Sequence, residues 1–362
     1  MSKRTIVVTG GLGFVGSHIV AALLEQTQYQ VAIIDNASNC SNPSAVLDAL
    51  HRLDGATDDE RHIDWFNVDI TDRNALHDCL ATVQRNAVVE CVIHCAGLKS
   101  VAESVARPLD YYRNNVEGSI NLLDAMQAHN IERCIFSSSA TVYGEPQYVP
   151  IDERHPIAPL NPYGHSKAMI EQIMRDWVNA GADAAADAAR RSRSVMLLRY
   201  MNPVGAHTSG LIGESPNGVP ANLQPYVLDV AQGKRAHVSV YGDDYETCDG
   251  TGVRDYIHVL DLAAAHLAAL DALQPNQCLA VNVGTGVGVS VLEMIAAVRR
   301  VTGQPVPHVV SARRAGDAAK VYCDARYSHQ VLNGWRAERD LDAMCRDAWH
   351  YRTQAKQRGP AQ

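Results

Sequence analysis

No stretch of this sequence carries the ~20 consecutive apolar residues of a membrane-spanning helix, so no membrane association is expected. The opening MSKRTIVVTGG reaches glycine too soon for a signal-peptide core. Excess positive charge is also missing. The formal net charge is -8, which argues against a nucleic-acid partner and leaves any anionic ligand to a few placed arginines. The nine cysteines include no C-x-x-C and no paired Cys/His ligand spacing, so no metal site is expected. Cys91 and Cys95, if they share a strand, lie about 13 Å apart, too far to bridge. An odd count without a pairing framework predicts reduced thiols and a cytoplasmic setting. What is present is ample material for a core: 362 residues, 46% of them hydrophobic, enough for one large or two medium domains.

The chain begins with a β-branched run, Thr5 to Val8, followed by Gly10, Gly13 and Gly16. Val15, Ile19, Ala22 and Leu23 then recur at helical spacing. Strand, glycine turn and helix in this order let the backbone approach a pyrophosphate at the free N–H groups of a helix start. Gly10, Gly13, Phe14, Val15 and Gly16 are therefore candidate cofactor-binding residues. A second strand, QVAIIDN, ends on Asp35, nineteen residues after Gly16. An acid there binds both ribose hydroxyls and repels a 2′-phosphate. Asn36 follows, with no Arg or Lys in the next several residues, so NAD is expected rather than NADP.

Strand signals continue at Ile63–Ile70, ending around Asp69, and at the almost wholly apolar VECVIHCAG, which runs into Lys99. Asp72 is placed to cap a helix reaching about Gln84. A long helix is expected from Pro108 to His129, with Asn114 and Asn115 inside it, one of them facing the cofactor. RCIFSSSATVYG gives a fifth strand that spills Ser137, Ser138, Ser139 and Thr141 at its carboxyl end. SVMLLRY gives a sixth. The alanine-rich segment Ala180–Ser194 between them reads as a helix extension or surface loop without chemistry of its own.

Between the fifth and sixth strands lies NPYGHSK. Tyr163 and Lys167, four residues apart on a helix, stack one turn above the other. An ammonium beside a phenol favours its ionised form, so Lys167 is expected to bring Tyr163 down from about 10. Such a tyrosine can take a proton from a sugar hydroxyl and return it. Ser139 is a candidate to bind the same hydroxyl.

Strand–helix alternation of this kind predicts an α/β fold: a Rossmann-type doubly wound parallel sheet over residues 1–200. Past Met201 the texture turns rich in Gly, Pro and Asn. A smaller mixed α/β C-terminal domain for the substrate is expected over 201–254 and 286–350. Residues 255–285 are expected to return to the first domain, and 351–362 to form a tail.

TGGLGFVGSH, HCAGLKSVAESVARPLDYYRNN, FSSSATVYG, NPYGHSK, RYMNPVGAH, DGTGVRDYIHV and VGTG together resemble the nucleotide-sugar epimerases of the extended short-chain dehydrogenase/reductase family, essentially end to end. The resemblance implies an isomerase with tightly held NAD+ that interconverts UDP-galactose and UDP-glucose through a 4-keto sugar. It makes Tyr163 the base, Lys167 its partner and holder of the nicotinamide ribose, and Ser139 the hydroxyl partner. It places Asp35 and Asn36 at the adenosine ribose, Asp69 and Ile70 at adenine, and Lys99 and Asn114 near the cofactor. For the UDP-sugar it implies Lys99, Ser139, Thr141, Asn202, Asn222, Arg254, Arg314 and Asp317. Val321 stands where members carry either a bulky tyrosine, which crowds the C2 substituent of the sugar, or a small residue. Its size implies acceptance of the N-acetylated pair, UDP-GlcNAc and UDP-GalNAc.

Three positions depart from the family pattern: Met201 in place of Phe, His165 between Gly164 and Ser166, and the alanine-rich insertion. A homodimer through the helices after the fourth and fifth strands is the family's usual assembly. The nearest rival activity is a nucleotide-sugar 4,6-dehydratase, which places a carboxylate just after the strand-end hydroxyls. Here Ser139 is followed by Ala140 and Thr141. A non-catalytic NAD-binding sensor has no need of Ser139, Tyr163 and Lys167 together, and an ordinary dehydrogenase would require added NAD+ for turnover.

Overall fold

A computed structural model describes residues 3–55, 63–183, 192–215, 220, 222–314 and 316–358. The first half alternates strands and helices: β1 (Lys3–Thr9), α1 (Phe14–Gln26), β2 (Gln30–Ile34), α2 (Pro43–Asp54), β3 (Ile63–Phe66), α3 (Arg73–Asn86) and β4 (Ala87–His94). Two short helices follow, α4 (Val101–Ala106) and α5 (Pro108–Tyr111), then a π-helical turn Tyr112–Glu117 and α6 (Gly118–Ala128). β5 (Arg133–Ser139), α7 (Pro162–Asp183) and β6 (Ser194–Tyr200) complete this half.

The second half holds β7 (Asn202–Val204), α8 (Leu223–Ala231), β8 (Val238–Tyr241), β9 (Val253–His258), α9 (Val259–Ala272) and β10 (Cys278–Val283). It ends with β11 (Gly288–Ser290), α10 (Val291–Thr302), β12 (His308–Ser311), β13 (Lys320–Val321), α11 (Arg326–Val331) and α12 (Leu341–Arg358).

Seven parallel strands form one sheet in the order β10-β6-β5-β4-β1-β2-β3. The chain winds outward from β1 to β3, then returns to lay β4 on the other side of β1. That reversal opens a crevice at the carboxyl ends of β1 and β4, where doubly wound sheets take their ligands. Both faces are covered, which is why the strands read as continuous apolar runs. Ile19, Leu23, Leu50 and Leu262 of α1, α2 and α9 pack on one face. Leu76, Leu80, Leu122, Met126 and Met174 of α3, α6 and α7 pack on the other. A separate core of Val227, Met294, Val298 and Met344 joins α8, α10 and α12.

Several expectations meet a different structure. The third strand stops at Phe66, because its carbonyl turns back to accept from Val68 N (3.0 Å) while also accepting from Asp35 N. Asp69 thus lies in the turn before the cap Asp72, whose side chain accepts from Ala75 N (3.0 Å). The long helix expected from Pro108 is interrupted by the π-helical turn at Asn114 and Asn115. The strand-like ARRAGDAAKVYCD shortens to Lys320–Val321. Within 255–285, α9 packs on α1 and β10 edges the large sheet, whereas β9 pairs with β7, β11 and β13 in a small sheet. The expected tail continues α12 to Arg358, tied down where Arg352 Nη1 donates to Asp229 Oδ1 (2.6 Å). Of the alanine-rich segment, α7 reaches Asp183 and residues 184–191 lie outside the described residues.

Three histidines are buried beneath the crevice. His94 bridges Thr9 Oγ1 (2.7 Å) and Ser119 Oγ (2.9 Å), and His266 bridges Ser137 Oγ (2.9 Å) and Leu262 O (2.8 Å). His18 bonds Phe14 O (2.6 Å). Burial pushes His18 and His94 down to about 3 and His266 to about 4. Their folded values lie below the unfolded value near 6.5, so as pH falls from 6.5 toward 4 the unfolded chain binds protons that the fold refuses. Stability is expected to fall over that window by up to about 1.4 kcal/mol per pH unit for each histidine. Urea midpoints at pH 7.5 and pH 5 check this. Equal midpoints would contradict it.

Candidate active site

The crevice is a cleft of about 1240 Å³. Its floor is the glycine turn. Gly10 has φ +70°, and Gly13 N–H donates to Gly10 O (3.1 Å). A Cβ on Gly16 would stand 2.8 Å from Gly10 C and 2.9 Å from Gly11 Cα, so only glycine lets α1 start this close to β1. Phe14 and Val15 line the cleft between those glycines. An open helix N-terminus over a glycine-rich turn is a cradle for a dinucleotide pyrophosphate.

Asp35 follows β2 and is fixed by two backbone donors: Leu12 N to Oδ2 (2.9 Å) and Ala37 N to Oδ1 (2.8 Å). Burial raises its pKa while those donors oppose the shift. Each oxygen keeps a further lone pair for a ribose hydroxyl. Val68 and Ile70 form the adjoining wall. Asp69 stands between them and accepts from Asn36 Nδ2 (2.7 Å) and Thr71 N (2.8 Å). Burial pushes the Asp69 carboxyl up, but these donors bring it below its ordinary value.

Beyond β4, Lys99 enters the cleft with its Nζ 3.4 Å from Glu214 and 6.0 Å from the Phe14 ring centroid. Of the two asparagines in the π-turn, Asn114 lines the cleft. Asn115 is buried, exchanging hydrogen bonds with Leu98 N (2.8 Å) and Leu98 O (3.0 Å) and donating to Ser166 Oγ (3.1 Å).

Pro162 opens α7, which places Tyr163 and Lys167 in the cleft wall, 7% and 4% exposed. His165, between them, is exposed and points away. Lys167 Nζ donates to Ser137 O (2.8 Å), lies 4.5 Å from the Phe136 ring centroid and 6.0 Å from that of Tyr163. This corrects the expectation that Lys167 lowers the phenol. Burial raises the Tyr163 pKa, and it is the neighbouring Ser139 hydroxyl that pulls the other way. Burial brings Lys167 itself down to about 8, against the opposing influence of Cys95 and Glu171. Thr141 Oγ1 donates to Ser139 Oγ (3.0 Å), and Tyr111 presents an edge to Tyr163 with centroids 6.5 Å apart.

Asn222 and Glu214 also line the cleft. The other substrate candidates gather around the small sheet outside it. Asn202 Nδ2 donates to Asp255 O (2.9 Å), and Arg254 Nη1 to Val253 O (2.9 Å) and Ala318 O (2.8 Å). Arg314 pairs with Asp317 (3.0 Å) and sits 4.5 Å from the Tyr241 ring centroid. Val321 registers with Arg254 and packs on the cluster of Val142, Tyr143 and Ile151, which follows Ser139. Tyr200, Cys95 and Glu214 are cleft residues that sequence reasoning missed. The position of Tyr200 and Cys95 at strand carboxyl ends was the signal that could have found them.

A model of the NAD dependent epimerase/dehydratase family matches residues 6–284. A mouse UDP-glucose 4-epimerase is 47% identical over 352 residues, covering 96% of each chain. The crystal structure of UDP-glucose 4-epimerase from Bifidobacterium longum in complex with NAD+ and UDP superposes with a TM-score of 0.85 at 44% identity. It covers 97% of this chain and 99% of that one. The enzyme of that name from Stenotrophomonas maltophila, bound to NAD and formylated UDP-arabinopyranose, gives 0.88 at 40% identity, covering 98% and 99%.

Proposed function

The chain belongs to the NAD dependent epimerase/dehydratase family, and from that membership we infer an NAD-dependent isomerase that interconverts UDP-galactose and UDP-glucose. The observation that carries the reading is the meeting of Tyr163 and Lys167 at the wall of a glycine-floored dinucleotide cleft, with the Ser139 hydroxyl beside Tyr163. When bound, NAD+ supplies the acceptor and donor of hydride at C4 of the sugar, and its positive ring favours the tyrosinate. Tyr163 takes the proton from the 4-hydroxyl and returns it, so atoms balance over the cycle. Ser139 holds the same hydroxyl and, with Thr141 behind it, keeps the phenol oriented. Lys167, fixed on the Ser137 carbonyl, holds the nicotinamide ribose. Asp35 and Asn36 take the adenosine ribose, while Ile70 faces the adenine and Asp69 steadies Asn36.

Asn222 and Lys99 serve the diphosphates. Arg254 and Arg314 suit a pyrophosphate through their planar forks, with Asp317 at the uridine ribose and Asn202 beside the sugar. Elimination is a poorer reading, because Ala140 and Thr141 follow Ser139 in a 3-10 turn with no carboxylate among them. Conversion of UDP-galactose to UDP-glucose by the purified protein tests the inference; a 4-keto-6-deoxy product would overturn it.

The UDP-sugar domain expected over 201–254 and 286–350 takes in the rest of β9 and of α12 as well, and the chain pairs with a second copy through the helices after β4 and β5. Exposed Val105, Leu109, Ile120 and Met169 on α4, α5, α6 and α7 support that pairing. No described helix is long and apolar enough to cross a membrane, and a cytoplasmic setting is proposed.

Acceptance of UDP-GlcNAc and UDP-GalNAc rests on the short side chain of Val321. Val321→Tyr is expected to abolish turnover of the N-acetylated pair while UDP-galactose turnover stays within about threefold. Equal loss of both activities would sink the idea.

A further inference from the structure

Helix α7 is laced to the end of β5 by three residues, each one turn beyond the last. Tyr163 meets the Ser139 hydroxyl, Lys167 Nζ donates to Ser137 O (2.8 Å), and Glu171 Oε1 accepts from Ser138 Oγ (2.7 Å). Positions i, i+4 and i+8 share one helix face, so three consecutive strand residues are read by three consecutive turns.

The pleat gives the middle contact a distinct place. Successive strand side chains alternate faces. The Ser137 side chain turns to α9, where it bonds His266 Nε2 (2.9 Å), and Lys167 must use its carbonyl instead. The Ser138 side chain points to α7. Its acceptor cannot drift: Glu171 is 1% exposed and held by Arg199 Nε (2.8 Å), Arg199 Nη2 (2.5 Å) and Arg175 Nη2 (3.2 Å). Arg199 is itself fixed on β6 and donates to Tyr143 Oη (3.0 Å), whose hydroxyl donates to Asn282 Oδ1 (2.6 Å) on β10. The Ser138 bond thus ties the strand end that carries Ser139 to a carboxylate anchored on β6, through Tyr143 to β10, and on the catalytic helix.

We propose that Ser138 and Glu171 are positioning residues, which set the distance between the Ser139 hydroxyl and the Tyr163 phenol through the Ser138–Glu171 hydrogen bond. The inference rests on the epimerase reading above. Loosening this bond lets the strand end shift against α7, moving the Ser139 hydroxyl away from the phenol whose ionised form it favours. Turnover then falls and requires higher pH, while substrate binding is spared.

The test is Ser138→Ala in the full chain with its retained cofactor, assayed with UDP-galactose. Removing the hydroxyl leaves the Glu171–Arg199 pair intact. The expected result is a kcat about tenfold lower, a KM changed by less than about twofold, and an acid limb of the kcat profile displaced to higher pH. Ser138→Cys, close in size and a weak donor, is expected to fall between the two and guards against a variant that fails to fold. In a Glu171→Gln background Ser138→Ala should add little, since both act through one bond.

A kcat per UDP-binding site and a pH profile equal to wild type, even with lower thermal stability, would overturn the proposal and leave Ser138 merely structural. Absence of epimerisation by the wild-type chain would instead refute the epimerase reading itself.

Discussion

Replacing Tyr163 with phenylalanine is expected to lower kcat for UDP-galactose by about 10²–10⁴-fold, the range that loss of a positioned acid–base group costs. Phenylalanine keeps the ring against Tyr111, so the wall of the cleft survives and UDP should bind as in wild type. The neighbouring phenol and imidazoles are poorly suited to take over. Tyr200 shares the cleft, but its burial, with Tyr163 and Cys95 beside it, pushes its phenol far above the ordinary value. His94 and His266 are turned away into buried hydrogen bonds. Steady-state kinetics with calorimetric titration of UDP separates the two effects. A Tyr163→Phe variant within tenfold of wild-type kcat would place the base elsewhere.

Gly16→Ala is expected to strip the protein of its cofactor. The added methyl would collide with Gly10 and Gly11 backbone atoms, which have no rotamer to escape into. Relief requires opening the turn that cradles the pyrophosphate, at a cost of about 1–3 kcal/mol for overpacking of this kind, or up to roughly 100-fold in cofactor affinity. Gly13→Ala is a useful contrast. A Cβ there meets only the Gly10 carbonyl oxygen, at 3.3 Å, so the fold should be little disturbed. NAD released on acid denaturation, with urea midpoints, reads both effects. Full NAD content and unchanged stability in Gly16→Ala would show that the turn is not as rigid as its geometry implies.

The parts of this architecture legible in the sequence are those governed by local periodicity and by backbone stereochemistry. The glycine turn, Asp35 at the end of β2 and the same-face pair Tyr163 and Lys167 all follow from spacing alone. What stayed hidden depends on where side chains go once strands are neighbours. Spacing puts Lys167 beside Tyr163, yet the Ser137 carbonyl, thirty residues away, captures its ammonium. Burial raises the phenol that Lys167 was expected to lower. Asn114 and Asn115 are told apart only by distant partners, since Leu98 and Ser166 bury the second and leave the first to the cleft. The last turns of α12, from residue 351, read as a tail because Asp229, the partner of Arg352, belongs to a distant segment.

One measurement tests the central claim most directly: proton NMR of UDP-galactose with the purified protein in D₂O, with no NAD added. The account predicts that UDP-glucose resonances grow in until the two sugars reach equilibrium. The C4 hydrogen should be retained, because it is transferred within the closed site while Tyr163 exchanges only the hydroxyl proton. Dependence on added NAD+, deuterium at C4, or accumulation of a 4-keto-6-deoxy sugar would contradict it.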